Sequence, residues 1–361
     1  MRSVSVTKKL TAVIFLIVLS MQLSGSPSEA GVIFLTIPPG ARPTGMGDSF
    51  VAIADDATAT WWNPAGLGRQ TGREISFMHA NWLPGFGLGD MYYDFLSYKQ
   101  EVPGLGTVGG NIVYLHLGEQ KRMDEFGNEQ GTFRTYETAV SASYGTDLSD
   151  DFYIGINAKF IYSHLSSMGA GNEKGSGTGH SMAMDLGFLY QTDYDLDIGL
   201  TITNIGPKIS YIDYEQADPL PTNLRFGLAY YLFYDDYNSL VLTSDATKLL
   251  VKRGKDLTGN GEIETSDEWN HTDPIWKALF TSWTDDDGVK DVIYGFGAEY
   301  WYNRMVGLRM GFWNDPMGEI SATTYGVSLR YDSYIFDFSY LDAGEGHPLT
   351  DTMRFSINIG F

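Results

Sequence analysis

The feature that most constrains the fold is a period of two in side-chain polarity, which begins near Glu74 and continues to the C-terminus. In the last ten residues large apolar side chains alternate with small or polar ones: Met353, Phe355, Ile357, Ile359 and Phe361 against Arg354, Ser356, Asn358 and Gly360. Segments 152–163, 224–232, 306–312 and 324–331 repeat the pattern. Successive side chains point to opposite faces in a β-strand, whereas a helix repeats every 3.6 residues. The sequence therefore predicts a chain built of strands.

The chemistry of the two faces indicates where the strands lie. The polar face of a soluble sheet is rich in Lys, Glu and Thr, because it meets water. Here that face is rich in Gly, Ser and Asn, with isolated charges such as Lys159, Arg225 and Arg309, while the other face is aliphatic and aromatic along whole strands. Lipid outside and a polar lumen inside explain this pattern. We therefore predict an all-β transmembrane barrel.

The alternation predicts about fourteen antiparallel strands, at 74–80, 90–100, 106–117, 135–147, 152–164, 181–192, 197–203, 222–233, 238–251, 291–300, 305–313, 322–331, 334–340 and 352–361. Connections after even-numbered strands are short, and those after odd-numbered strands are longer, with the longest at 252–290. Outer-membrane barrels have short periplasmic turns and long external loops. An even count also places both ends of the barrel on the periplasmic side. The aromatic last residue, Phe361, is common in bacterial barrels.

Composition excludes several classes of protein. The 361 residues include 24 Lys and Arg against 45 Asp and Glu, a formal net charge of −21, which argues against nucleic acid as a partner. Cysteine is absent, so disulfides, iron–sulfur clusters and thiol catalysis are excluded. The GxGxxG match at Gly104–Gly109 leads into a strand rather than a helix, and no HExxH or GxSxG motif exists. We expect no enzyme activity.

The N-terminus predicts export. Lys8 and Lys9 precede the apolar run Leu10–Leu23, and Ser28-Glu29-Ala30 supplies a small-x-small cleavage site. A membrane anchor is the alternative, but the run is too short to span a bilayer comfortably. We therefore predict that residues 1–30 are a signal peptide, cleaved on the way to the bacterial outer membrane.

Residues 31–73 do not alternate, and we expect them to form a separate segment before the barrel at 74–361. Asp55–Trp62 is predicted to form about two helical turns, with Asp55 or Asp56 as N-cap. Asn63-Pro64 ends this helix, because a residue before proline is driven out of the α region. Asn63 and Pro64 have two interpretations, an ordinary helix stop or a plug fixed in the lumen. Arg42 and Asp48 are candidates to pair with lumenal charges.

This segment carries a family resemblance. Gly40–Leu67, which reads GARPTGMGDSFVAIADDATATWWNPAGL, resembles the N-terminal signature of the PorV/PorQ family, which belongs to the FadL-like outer-membrane barrels. Pro219–Gly227 and Thr352–Phe361 extend the resemblance along the chain. The resemblance implies a fourteen-stranded barrel whose N-terminal segment enters the lumen as a plug, or hatch. It also implies an association with type IX secretion.

The longest external loop contains a calcium-loop pattern. In Asp256–Asp267 oxygen-bearing side chains stand at the ligand positions, with glycine at position 6 for the sharp turn: Asp256, Thr258, Asn260, Glu262 and Asp267. Thr at position 3 and Asp at position 12 depart from the sensor pattern. The pattern predicts bound Ca²⁺, and an ordinary acidic loop is the alternative.

The same loop carries Trp269, Trp276 and Trp283, seven residues apart, together with Ile275, Leu279 and Phe280. Helical spacing places them on one stripe. A small core within the loop and an exposed lid or partner-docking site are the two interpretations.

Three functions fit these features. The first is a non-enzymatic, PorV-like component or shuttle of type IX secretion, with secretion-machinery subunits and exported proteins as partners and outer-membrane lipid around it. The second is a FadL-like transporter of hydrophobic small molecules, which requires an apolar pocket between plug and external loops. The third is an accessory of lipopolysaccharide modification. Fold alone does not choose among them.

Overall fold

The computed structural model describes residues 30–87, 89–123, 129–166, 177–211, 217–252, 272–283 and 291–361. Within them the alternating segments form fourteen strands: β1 Arg73–Asn81, β2 Met91–Val102, β3 Gly106–Met123, β4 Glu129–Ser149, β5 Phe152–His164, β6 Thr178–Gln191, β7 Leu196–Ile205, β8 Asn223–Tyr234, β9 Asn238–Leu249, β10 Ile293–Tyr302, β11 Val306–Asp315, β12 Ile320–Tyr331, β13 Tyr334–Asp342 and β14 Thr352–Gly360. Each strand pairs with its sequence neighbours, and β1 pairs with β14, which closes the barrel. The predicted fourteen-stranded antiparallel barrel is confirmed.

The apolar face of the barrel wall points outward. On β14, Thr352, Arg354 and Ser356 are buried, whereas Met353 and Phe355 are exposed. The same division follows the other strands, so the large side chains form the outer surface and the small polar ones line the lumen. An outer-membrane barrel requires this arrangement, because its outer surface meets hydrocarbon.

Among the described residues, no helix is long and apolar enough to cross a bilayer.

Residues 30–72, which we call the plug, lie inside the barrel. They contain two one-turn helices, α1 (Ala41–Thr44) and α2 (Ala59–Trp62), and the 3₁₀ helices Ile33–Thr36 and Pro64–Arg69. A further 3₁₀ helix, Pro84–Phe86, joins β1 to β2. The helix α1 packs on β12, β13 and β14, whereas Pro64–Arg69 packs on β3 to β6 across the lumen.

The two-turn helix predicted at Asp55–Trp62 is wrong in length and in its cap. Only Ala59–Trp62 is helical, and Thr58 precedes it without a side-chain cap. The Asp56 carboxylate instead accepts from the backbone N–H and hydroxyl of Thr58, at 2.9 and 2.5 Å. A short acidic side chain that bonds the backbone two residues on favours a turn over a helix. The helix does end at Asn63, as predicted.

The connection predicted at 118–134 is also wrong, because β3 and β4 continue through most of it. The two strands remain paired as far as Met123 and Glu129, with register shifts after His116 and after Lys121. Side chains above these shifts are largely exposed and polar. A ladder of backbone hydrogen bonds continues here without an apolar face, so alternation alone did not reveal it.

Several lumen-facing glycines stand where the plug backbone touches the barrel wall. A Cβ added at Gly155 would overlap the backbone of Pro64 and Ala65, and one at Gly311 would overlap that of Met46 and Gly47. The same holds at Gly145, Gly187, Gly199, Gly295 and Gly297. The glycines of the polar face are therefore sites of close approach between two backbones.

We expect Gly155→Val to displace the plug, because the new side chain would occupy the space of Pro64. Overpacking of this kind costs about 1–3 kcal/mol. The measurement is the temperature at which the barrel loses its compact, fast-migrating form on unheated SDS gels. Ala158→Val, on the outward face of the same strand, is the matched control and should leave that temperature unchanged. Equal melting of the two variants would contradict close contact at Gly155.

Candidate functional site: the plug and the cavities beside it

Arg42 joins the plug to the barrel wall. Its guanidinium contacts both carboxylate oxygens of Glu299 on β10, each at 2.8 Å. It also reaches Asp55 at 2.6 Å and Asp56 at 3.1 Å within the plug. Burial by itself would lower the pKa of Arg42, but the carboxylates of Asp55, Glu299 and Asp56 raise the pKa well above its usual value. Arg42 is therefore charged and fully engaged.

The Arg42 contact continues into the wall. Glu299 also accepts from Arg309 on β11 at 2.5 Å. Arg309 lies 3.4 Å from Asp337 on β13, which accepts from Asn358 on β14 at 2.7 Å. These groups are buried, and ions in such surroundings are stable only when they are paired and hydrogen-bonded. On β12, the hydroxyl of Ser328 accepts from Arg309 and donates to Asp337, so one network runs from the plug across the five strands β10 to β14.

Asn63 fixes the turn between α2 and the next 3₁₀ helix. Its side-chain NH₂ donates to the carbonyl of Val51 at 2.9 Å and to that of Phe188 on β6 at 3.1 Å. Its side-chain oxygen accepts from the N–H of Ala65 at 3.1 Å. Pro64 follows as the first residue of the 3₁₀ helix and lies against the wall. Asn63 therefore bonds the plug to itself and to the barrel.

Asp48 lies in the plug and has no hydrogen bond to the barrel wall among the described residues. Its carboxylate accepts from the hydroxyl of Thr44 at 3.1 Å, and it forms no ion pair within the described residues. Burial raises the pKa of Asp48, while the more distant charges of Arg354 and Arg225 oppose this increase. Burial likewise raises the pKa of Asp56, against the effect of Arg42.

Polar wall residues that the sequence did not single out also hold the plug. Asp245 on β9 accepts from the N–H groups of Phe50 and Val51, at 2.8 and 3.0 Å. Asn111 and Asn157 both donate to the carbonyl of Thr60 at 2.9 Å. Their only signal in the sequence is a polar residue at a lumen-facing position, which many other residues share.

A cavity of about 330 Å³ lies between the plug and the external loops. Its lining combines apolar and aromatic side chains with charged groups, which lie deep inside and also at the external ends of β10 and β11: Ile33, Pro38, Trp62, Leu249, Ile293, Trp313, Asp48, Arg225, Asp245, Asp291 and Asp315. The guanidinium of Arg225 lies 4.4 Å from the ring of Trp61 and 5.2 Å from that of Trp62. Its Nε and one oxygen of Asp245 are buried and lack a hydrogen-bond partner among the described residues.

A second cavity, of about 250 Å³, opens between the plug and the periplasmic turns. It is charged, with Arg42, Glu74, Asp55, Glu299 and Arg330 in its lining. The plug separates the two cavities. The two cavities share no lining residue, and the external one is the more apolar of the two.

The calcium pattern at Asp256–Asp267 and the residue Trp269 lie outside the described residues, as does the signal peptide up to Glu29. These three interpretations stay predictions.

Comparison with protein families decides what this plugged barrel is. Residues 26–256 match the family described as type IX secretion system protein PorV. The chain belongs to the PorV family. The resemblance found in the plug sequence is thereby confirmed, and so is its association with type IX secretion.

Solved structures show where this PorV family member stands by fold. It is similar to the toluene transporter TbuX of Ralstonia pickettii, at 18% identity and a TM-score of 0.53, over 89% of this chain and 96% of that one. The toluene transporter TodX of Pseudomonas putida has the same coverage and TM-score at 12% identity. No curated protein matches the sequence. At such identities the similarity establishes the FadL-like barrel fold. Together with the PorV family match, this fold locates the protein in the bacterial outer membrane.

We expect Arg42→Met to loosen the plug of this PorV family member. Removing one partner of a buried ion pair costs about 3–5 kcal/mol, because Glu299 loses its partner from the plug. Urea unfolding in lipid vesicles measures the loss, and planar-bilayer recording tests for a newly conducting lumen.

Lys121→Met is the control for Arg42→Met. Lys121 pairs with Glu129 at 3.1 Å on the surface, and the side chains are 64% and 49% exposed. A pair of this kind contributes less than about 1 kcal/mol. Equal stability losses in the two variants would show that Arg42 is no anchor.

Proposed function

We propose that the protein is a non-enzymatic carrier of type IX secretion. It holds exported proteins at the external face of the outer membrane and passes them to the machinery that attaches them to the surface. The observation that carries this proposal is the plug, which is bonded to strands around the whole barrel. A polypeptide has no route through such a lumen, so cargo must be held on the outside.

The partners in this proposal are secretion-machinery subunits, exported proteins and outer-membrane lipid. The long connections at one end of the barrel, among them 252–290, supply the surface for the protein partners. This role needs no catalytic group at either end of the barrel. We infer that the buried charges serve to hold the plug.

A second candidate function is transport of hydrophobic small molecules. The external cavity favours it, because an aromatic and aliphatic recess of about 330 Å³ is the kind of site that such a ligand occupies. The fold is shared with two toluene transporters. Transport further requires the plug to move, which distinguishes this function from a carrier with a closed lumen.

One crosslink tests both functions. The backbone N–H of Ala41 in the plug donates to the hydroxyl of Ser356 on β14 at 2.9 Å. The bonds that join these two atoms to their Cα atoms keep the Cα atoms within about 7 Å, so two cysteines here are within reach of a disulfide. The chain contains no other cysteine, so Ala41→Cys with Ser356→Cys forms a single, defined lock.

In a strain that lacks the gene, we expect the oxidised double variant to restore secretion as well as the wild type, because the carrier does not use the lumen. Without any copy, exported proteins should remain in the periplasm. Fractionation and immunoblotting of exported proteins measure both results. Each single-cysteine variant, and the double variant under reducing conditions, is a control.

Toluene partitions into a plain phospholipid bilayer without a protein, so the second function is tested by toluene uptake into whole cells of the same strains, with the strain that lacks the gene as the baseline. A carrier with a closed lumen adds nothing to this baseline, locked or unlocked. Uptake above the baseline in the double variant that falls to the baseline on oxidation would establish the transporter instead. Loss of secretion on oxidation, with recovery on reduction, would contradict the carrier with a closed lumen.

We also propose that Ca²⁺ binds the external loop at Asp256–Asp267. Titration calorimetry of the wild type should show one site, and Asp256→Asn together with Asp267→Asn should remove it, because both residues supply ligand oxygens. Asp286→Asn, in the nearby acidic run, should bind as the wild type does. If the wild type shows no heat of Ca²⁺ binding, the loop is an ordinary acidic loop and the proposal is wrong.

A further inference from the structure

The helix α3 (Ile275–Thr281) in the long external loop leaves its large apolar side chains uncovered. Trp276 is 70% exposed, Phe280 is 74% exposed and Trp283, just beyond the helix, is 40% exposed. Their spacing of four and seven residues places them on one edge, since helical residues advance by about 100°. Ala278 and Ser282 are buried on another edge. The rings of Trp276, Phe280 and Trp283 therefore do not form a small hydrophobic core within the loop.

The polar groups of this segment occupy a third edge. Lys277 pairs with Asp273 at 2.6 Å, and the hydroxyl of Thr281 donates to the other oxygen of Asp273 at 2.9 Å. The segment is thus divided along its length into a buried edge, a charged edge and an exposed aromatic edge. Helices that lie in a membrane interface have this division between charged and aromatic edges.

Contacts with β9 place the end of the segment on the outer side of the barrel wall. Lys248 is paired with Leu224 of β8, and both stand at outward-facing positions of their strands. The Lys248 ammonium nevertheless is buried, because it pairs with Asp291 and lies 5.4 Å from the ring of Trp283. Trp283 therefore covers the external end of the outward face of β9, and the same face contacts lipid nearer to the periplasm.

The level of this contact matches the outer edge of the membrane. From Tyr234 at the periplasmic end of β8 to Leu224 the strand advances ten residues. A rise of about 3.3 Å per residue and a tilt of about 40° convert this length to roughly 25 Å. The apolar band of an outer-membrane barrel is also about 25 Å tall. Exposed tyrosines at the periplasmic end, Tyr234, Tyr302 and Tyr331, mark the periplasmic boundary as an aromatic girdle does. Measured from there, Lys248 and Trp283 lie at the external boundary, where Trp is enriched.

We propose that α3 rests on the outer leaflet beside β9 and inserts Trp276 and Phe280 among the lipids. Lipid is the occupant because the aromatic edge continues the lipid-facing wall through Trp283, at the level where hydrocarbon meets headgroups. The charged edge with Lys277, whose side chain is 42% exposed, stays in water. The long external loop is thereby fixed to the membrane surface at one side of the barrel.

Single cysteines test this placement, because the chain has none of its own. Phe280→Cys and Trp276→Cys, each labelled with the fluorophore NBD in vesicles of the purified full chain, report the aromatic edge. Lys277→Cys is the matched control on the charged edge. Lipids with a nitroxide at a shallow acyl position quench labels in the interface, and aqueous iodide quenches labels in water.

We expect nitroxide lipid to quench the labels at 276 and 280 at least threefold more than the label at 277, and iodide to show the reverse order. Folding of each variant is checked by its migration on unheated SDS gels. Strong iodide quenching at 276 and 280, with no lipid quenching, would overturn the proposal. So would protection of these labels only when other proteins of the outer membrane are added, because the occupant would then be a protein. The result does not depend on the carrier function, since it concerns the membrane alone.

Discussion

The fit between the plug and the inner wall is the constraint on which the rest of the structure depends. Fourteen strands enclose more space than their own inward side chains can fill, and a barrel of this size needs an occupant or holds water. Here the plug backbone lies directly on wall glycines such as Gly155, while Arg42 brings its charge to Glu299. Both kinds of contact are required. The glycines permit close approach, and the ion pairs satisfy charges that close approach removes from water.

Alternation made most of the barrel predictable. The pattern around Met353 and Arg354 reports one face in lipid and one in the lumen, so the strand count, the antiparallel order and the outward face followed from residue type alone. The parity of the connections indicated which end of the barrel faces the periplasm, whereas the register of the paired strands was not predicted. Alternation does not distinguish a lumen-facing glycine that borders water from one that contacts the backbone of the plug. Gly311 and its equivalents were therefore interpreted as part of a polar lining.

The site was less predictable for a physical reason, which is that its partners are far apart in the chain. Arg42 and Glu299 are separated by 257 residues, and no periodicity connects them. Sequence motifs predicted the local structure correctly only where neighbouring residues alone determine it. Asn63 before Pro64 ended a helix as the steric rule requires, whereas Asp56 formed a turn because its carboxylate found the nearby N–H of Thr58. The sequence identified the plug as a segment, and the contacts that hold it emerge only when the barrel closes around it.

The strength of these contacts bears on which partner could move the plug. Breaking the buried Arg42–Glu299 pair costs about 3–5 kcal/mol, and each buried group left unsatisfied at Asn63 or Asp245 adds about 1–3 kcal/mol. A small ligand with micromolar affinity releases about 8 kcal/mol in total, and only its preference for the open state can shift the plug. Opening must break contacts on several strands together, so such a ligand is poorly matched to the task. A protein partner that binds the external loops has a larger interface and stronger preferences. We therefore expect that small molecules do not displace the plug, and that any movement of the plug is caused by the binding of a protein partner.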